Sequence, residues 1–139
     1  MPKLTILRGV SGSGKSSWAK QQDAVVISRD TLRVMLNGSE SMHDEPGVSI
    51  AQDALIDAFL CSGRDVIVDN TNIEWKYVKE LAEIGRGRDA EIEVKVFDVP
   101  LLTAIRNNAW RAANGGRNVP VHVISNQHER FQVTKGWTL

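Results

Sequence analysis

The sequence predicts a three-layer α/β fold: a central, mainly parallel sheet of four strands flanked by helices, with an arginine-bearing lid toward the carboxyl end. Three observations predict it. Short apolar runs rich in β-branched residues alternate with segments of helical spacing, as strands joined by crossover helices do. Four such runs occur, and each is followed by polar or charged residues. The length, 139 residues, suits one domain, so a single domain over 1–139 is expected. In parallel sheets ligands bind beyond the carboxyl ends of the strands. Gly9–Ser17, Ser28–Arg33, Asp69–Asn72 and Asp98–Arg106 are therefore the first places to look for chemistry.

The elements follow in order. Leu4–Ile6–Leu7 is a short apolar run ending at Gly9, hence a buried strand, and Lys15 to Gln22 reads as helix. Ala24–Val25–Val26–Ile27 gives a second strand. Asp30 to Leu36 is helical until Asn37–Gly38 stops it. Ser39 to Gly47 is polar and irregular, a candidate mobile loop. Ile50, Ala54, Leu55, Ala58 and Phe59 fall at helical spacing, and Gly63 ends that helix. Val66–Ile67–Val68 is the third strand; Trp75, Val78, Leu81 and Ala82 recur as a helix requires. Ile92–Val94–Val96 alternates as a fourth strand. Pro100 and, after Asn114–Gly115–Gly116, Pro120 each open a helix at its first position.

Composition narrows the class. Hydrophobic residues make up 42% and charged residues 24%, which excludes a disordered chain and a disulfide-built miniprotein. Cys61 is the only cysteine, so no internal disulfide or cysteine zinc site is available; it is expected to be a buried small apolar residue. No apolar run approaches a membrane span and no signal-type segment follows the amino terminus, so no membrane partner and a cytoplasmic location are expected. The 17 basic and 17 acidic residues cancel, against a bulk polycation. Their distribution is uneven: Glu40 to Glu74 holds eight acids and the single base Arg64, whereas Arg106, Arg111, Arg117, Arg130 and Lys135 follow Val99 against Glu129 alone. An anionic ligand would look toward the second half. His43, His122 and His128 are too scattered for a metal site, and His128 shares a helical face with Val121, Ile124 and Phe131, which points to the core. Trp18, Trp75, Trp110 and Trp137 read as packing residues, with Trp110 the best placed for nucleotide contact.

Gly9-Val10-Ser11-Gly12-Ser13-Gly14-Lys15-Ser16 fits the Walker A pattern between a strand and a helix. The backbone N–H groups of Gly9 and Ser11 to Ser17 can turn toward phosphate oxygens because the glycines leave the approach open. Lys15 can reach the β and γ phosphates, and Ser16 can offer its hydroxyl to magnesium. ATP and Mg²⁺ are the expected ligands.

The other strand ends decide between transfer chemistry and mere binding. A phosphotransferase acting on an alcohol needs a carboxylate to take or orient the hydroxyl proton, and Asp30 is placed for it. Arg33, one turn on, could hold an anionic part of the acceptor; equally, Ser28 or Asp30 could serve only as a helix cap. Asp69 ends an apolar strand as a Walker B acid does and could hold magnesium through water. Thr71-x-x-Glu74 reads as a capping box for the next helix. Arg106, Arg111 and Arg117 lie on a segment hinged at Gly115–Gly116 and suit a lid over ATP phosphates. Arg106 and Arg111 stand about 140° apart around a helix, so they cannot both face one phosphate unless it bends.

Together GVSGSGKSSW (Gly9–Trp18), SRDTLR (Ser28–Arg33), VDNTN (Val68–Asn72), VKVFDVP (Val94–Pro100), Arg106–Asn107 and Val119–Pro120 resemble the 5′-hydroxyl polynucleotide kinase family, of the phage kinase-domain type. The resemblance implies a P-loop kinase-like fold and transfer of the γ-phosphate of ATP to the 5′-OH end of DNA or RNA. It implies catalytic roles for Lys15, Asp30 and a lid arginine, Arg111 or Arg117, with Arg111 favoured. It implies acceptor contacts from Asp30, Arg33, Asp69, Asn70 and Thr71, with Arg33 gripping the phosphate 3′ to the reacting nucleotide. The chain departs from the phage pattern in a longer stretch from Arg106 to Pro120 and in the register of Asp69. It lacks a DxDGT motif, so no phosphatase activity is expected, and a separate phosphatase or ligase could work beside it. Two other readings stand: a small-molecule kinase acting on a nucleoside, sugar or antibiotic, and a nucleotide-binding switch without transfer chemistry.

Overall fold

The computed structural model describes residues 1–139. Four strands, β1 (Lys3–Arg8), β2 (Val25–Ile27), β3 (Val66–Val68) and β4 (Glu91–Val96), form one sheet in the order β2-β3-β1-β4. Every pairing is parallel: Leu4, Thr5 and Ile6 lie opposite Val66, Ile67 and Val68, and Leu4 opposite Ile92 on the other side. The interior strands β1 and β3 are almost wholly buried because both of their faces are covered. Edge strand β2 leaves Val26 41% exposed.

The two faces have separate cores. Leu4, Ile6, Val66 and Val68 pack against α2 (Arg29–Asn37), α3 (Glu45–Cys61) and α4 (Trp75–Gly87). Gly85 of α4 permits that contact, since a Cβ there would stand 2.3 Å from Ile92 Cδ1. Leu7 and Ile67 turn the other way, onto Ala19 and Trp18 of the short helix α1 (Lys15–Ala19). A third cluster joins α5 (Leu101–Ala113) and α6 (Val121–Thr134) to the loop after β1, through Val10, Ala104, Ile124 and Phe131. The phosphate-loop candidate is thereby held from beneath by α6.

Arg8, at the end of β1, is fully buried and faces no carboxylate. It donates to the carbonyls of Asn72, Ile73 and Thr134 and to the Thr134 hydroxyl, at 2.8–2.9 Å. The rings of Trp75 and Phe131 each lie 5.2 Å from its guanidinium carbon. Burial lowers its pKa, and three carbonyls with two ring faces take the place of a counter-ion. One side chain thus ties β1, the segment after β3 and the end of α6.

Several sequence expectations need correction. The α1 helix stops at Ala19 rather than Gln22. The irregular stretch after Gly38 ends at Asp44: its carboxylate accepts from the Gly47 N–H at 2.9 Å, and Pro46 sits in the first turn, so Glu45–Gly47 are helical. The buried face of α3 is Val48, Gln52, Ile56 and Leu60; Ile50 is 71% exposed, because the helix begins a turn earlier and is apolar on more than one side. The Thr71–Glu74 capping box does not form; Glu74 is itself the cap residue of α4, its carboxylate accepting from Arg130 rather than capping, and Thr71 is held by its carbonyl instead. Cys61 is exposed at the last turn of α3. His128 is only half-buried, its ring 3.2 Å from Gln132 Nε2.

Candidate active site

The ends of β1, β2 and β3 open onto one cleft of about 920 Å³. Of its lining residues only Val26, Met42 and Trp110 are apolar. Small-molecule pockets are mostly apolar, so this cleft is built for a charged, hydrogen-bonding ligand.

Its floor is the Gly9–Ser16 loop. Gly12 has φ +83° and Gly14 φ +98°, backbone that L side chains rarely adopt, and a Cβ on Gly12 would stand 2.3 Å from the Ala104 carbonyl oxygen of α5. Gly9 donates its N–H to the Thr71 carbonyl at 3.0 Å, tying the loop to the segment after β3. Lys15 is 7% exposed, and its Nζ donates to the carbonyls of Gly9 and Val10 at 2.9 Å. Burial pushes its pKa down to about 8; Asp69 opposes that shift and Arg111 adds to it. Ser16 Oγ donates to Asp69 Oδ2 at 2.7 Å. A hydroxyl and a carboxylate oxygen side by side are hard donors of the type magnesium takes, and no group of three His, Cys, Asp or Glu side chains forms a protein-only cage anywhere in the chain. The donor set fits a magnesium ion that shares its shell with phosphates.

The residues expected on the acceptor side are set by α2 and α3. Ser28 caps α2, its Oγ accepting from the Thr31 N–H at 3.1 Å, which leaves the Asp30 carboxylate free of capping. Asp30 accepts from Arg33 at 2.8 Å through one oxygen and from Arg117 at 2.5 Å through the other. Arg33 is buried, and Glu45 grips it in a fork at 2.5 and 3.0 Å. That fork raises the Arg33 pKa and holds the Glu45 carboxyl below its usual range, the hydrogen bond being the largest cause of each shift. Arg29 reaches Ser49 Oγ and the Glu45 carbonyl. Asn70 accepts from the Arg29 N–H and donates to Gln52 Oε1, both at 2.9 Å. Glu45, Ser49 and Gln52 thus form one polar face of α3 that fixes the start of α2.

The lid segment is less uniform than the sequence implied. Arg111 and Arg117 line the cleft, whereas Arg106 is exposed and does not, as the 140° offset requires. Arg111 is oriented by the Arg117 carbonyl and Asn108 Oδ1, both at 3.0 Å. Arg117 bridges Asp30 and Glu40. Trp110 sits on the rim, 70% exposed. The remaining candidates Ser11 to Ser17, Asp69, Asn70 and Thr71 all line the cleft; Gly9 lies beneath it.

Sequence reading missed several members. Asn107 donates to the Gly12 carbonyl at 2.8 Å, and Gln127 Oε1 accepts from the Ser11 N–H at 3.0 Å. The signal for Gln127 was present: it lies three residues after Ile124 and four before Phe131, on the buried face of α6, where a polar side chain needs a partner. Glu40, Glu45 and Gln52 gave no signal of this kind, because their partners are remote in sequence.

A nucleotide-type loop over a parallel sheet, a buried lysine in the loop, a paired serine and aspartate, and lid arginines define a P-loop kinase domain. The chain belongs to the family described as AAA domain, whose profile matches residues 4–134. Its relatives agree. A protein of Autographa californica nuclear polyhedrosis virus, named as a bifunctional polynucleotide kinase/RNA ligase, is 27% identical over 93% of the chain. A chain in the Pnkp1/Rnl/Hen1 RNA repair complex is 29% identical, with a TM-score of 0.87 over 96% of this chain. A gluconokinase from Sinorhizobium meliloti 1021 shares the fold, at 23% identity and a TM-score of 0.63, over 97% of this chain and 78% of its own. The chain spans 21% of the viral relative and 45% of the repair-complex chain. No helix is long and apolar enough to cross a membrane.

Proposed function

We propose that the chain is an ATP-dependent 5′-hydroxyl polynucleotide kinase, transferring the γ-phosphate of ATP to the 5′-OH end of DNA or RNA. The observation that carries this reading is a carboxylate, Asp30, fixed at the end of β2 and facing the same cleft as Lys15 and the Ser16–Asp69 pair. The likeness to the polynucleotide kinase relatives supports it: the repair-complex chain superposes at a TM-score of 0.87, against 0.63 for the gluconokinase.

Magnesium held at Ser16 and Asp69 would neutralise phosphate charge. The chain's own residues do the rest. Backbone N–H groups of the loop hold phosphate oxygens, and Lys15 and Arg111 offset charge on the phosphoryl group in flight. Asp30 takes the proton of the attacking hydroxyl as the new O–P bond forms and ADP leaves. Arg33 and Arg117 orient the Asp30 carboxylate, each holding one of its oxygens. Arg33 is itself neutralised by Glu45, so its grip on a 3′ phosphate falls to its remaining N–H groups.

A small-molecule acceptor is the second reading, favoured by the fold-level match to a gluconokinase. Transfer from γ-labelled ATP with magnesium to a 5′-OH oligonucleotide decides between them, with a 5′-phosphorylated strand and a bare nucleoside as controls. Label on the 5′-OH strand alone is the expected result. Label on the nucleoside but not the strand would replace the reading with the second. Running RNA beside DNA gives the preference, and a ligase or phosphatase partner belongs to the same proposal.

A further inference from the structure

The side chain that closes the open end of the phosphate loop comes from α6, the last helix of the chain. Gln127 Oε1 accepts from the Ser11 N–H at 3.0 Å. A backbone N–H can only donate, so the atom facing it must be the amide oxygen. The orientation of the amide is thereby fixed, and Nε2, carrying two N–H groups, occupies the other arm. Nε2 makes no hydrogen bond within the protein and is open to the cleft that Gln127 lines rather than buried.

The helix that carries it is firmly seated. Ile124 and Phe131, on the same face as Gln127, are 0% and 1% exposed and pack with Val10 of the loop itself. Arg8 fixes the far end of α6 through the Thr134 carbonyl and hydroxyl. A long amide side chain held at both its oxygen and its helix loses little further freedom on meeting a ligand. Its place along the loop is also defined. Lys15 Nζ, the group suited to the β and γ phosphates, bonds the carbonyls of Gly9 and Val10, directly preceding Ser11. The Gln127 amide therefore stands at the β/γ end of the cradle, not at the α end near Ser17.

We propose that Gln127 is the outermost donor of the phosphate cradle: its Nε2 binds an oxygen of the terminal phosphate of a nucleoside triphosphate, and through that bond the site separates triphosphate from diphosphate. This rests on the nucleotide-donor half of the function proposed above and is independent of the acceptor. It also alters the part assigned to Ser11, whose N–H is spent on orienting Gln127 rather than on phosphate.

The test is the ratio of ATP to ADP affinity, measured by calorimetric titration with magnesium on the full chain as wild type, Gln127→Glu and Gln127→Ala. The glutamate keeps an oxygen for the Ser11 N–H but replaces the donor arm with an anionic oxygen. Gln127→Glu is expected to weaken ATP binding roughly 30-fold or more, and ADP binding several-fold less. Gln127→Ala is expected to weaken ATP about fivefold to tenfold with ADP within about twofold. An unchanged ATP:ADP ratio in both variants would overturn the proposal and leave Gln127 as a prop for the loop. Melting curves accompany the titrations: a prop alone lowers the melting temperature and both affinities together in Gln127→Ala. Should the ratio shift as expected while no polynucleotide accepts phosphate, this inference stands and the acceptor assignment falls.

Discussion

The two sides of the cleft are built by different means. The donor side is made of backbone and of neighbours in sequence: Lys15 bonds carbonyls five and six residues before it, and Gly12 and Gly14 supply the positive φ angles that turn the loop. The acceptor side is made of side chains from distant segments, where Asp30 meets Arg117 of the lid and Glu45 of α3 holds Arg33. A motif of eight residues can specify the first. The second exists only when α2, α3 and the segment carrying Arg117 are packed together, so it depends on contacts that no local motif encodes.

That contrast can be broken most sharply at Asp30. Asp30→Ala should lose roughly 10²–10⁴-fold in phosphoryl transfer while ATP affinity is largely retained, because on the proposed reading the carboxylate acts on the acceptor hydroxyl and its ion-pair partners Arg33 and Arg117 lie outside the phosphate loop. Full activity in that variant would end the base assignment. Lys15→Ala should lose roughly 10²–10³-fold or more in rate and, unlike Asp30→Ala, should also weaken ATP binding, as equilibrium titration would report.

A smaller effect is expected behind the acceptor side. Glu45→Gln removes the fork on a buried arginine and should cost about 2 kcal/mol of stability, with the acceptor's kcat/KM falling and the KM for ATP unchanged. The Glu45 carboxyl is held below 4.5 in the fold, so its contribution is present above that pH and lost as pH falls through the folded value. The gap in melting temperature between wild type and variant should therefore close in acid.

The mildest effect concerns pH on the donor side. Lys15 titrates at about 8 in the fold against 10.5 when unperturbed, burial being the main cause. Binding of a triphosphate favours the ammonium, so ATP affinity should decline as pH rises through about 8, and that decline should vanish in Lys15→Ala. Between about 8 and 10.5 the unfolded chain holds a proton that the fold has released, so this lysine makes stability rise with pH across that window. Thermal melts at intervals from pH 8 to 10, wild type against Lys15→Ala, would measure it.

The parallel α/β arrangement and the phosphate loop are legible in the sequence, since strand runs, glycine positions and the Lys15–Ser16 pair are local patterns with local physical causes. The sequence also placed Asp30 and Asp69 at strand ends, where the topology delivers them to one cleft. Packing alone selected which arginines reach that cleft, excluding Arg106, and set the Glu45 carboxylate against Arg33 so that it is neutralised. Only it seated Gln127 on Ser11, buried Arg8 among carbonyls and rings, and left Cys61 in solvent. The reason is common to all of these. A side chain's partner across the fold is set by how helices pack on a sheet, and one chain read residue by residue carries the identity of each group but not the distance between them.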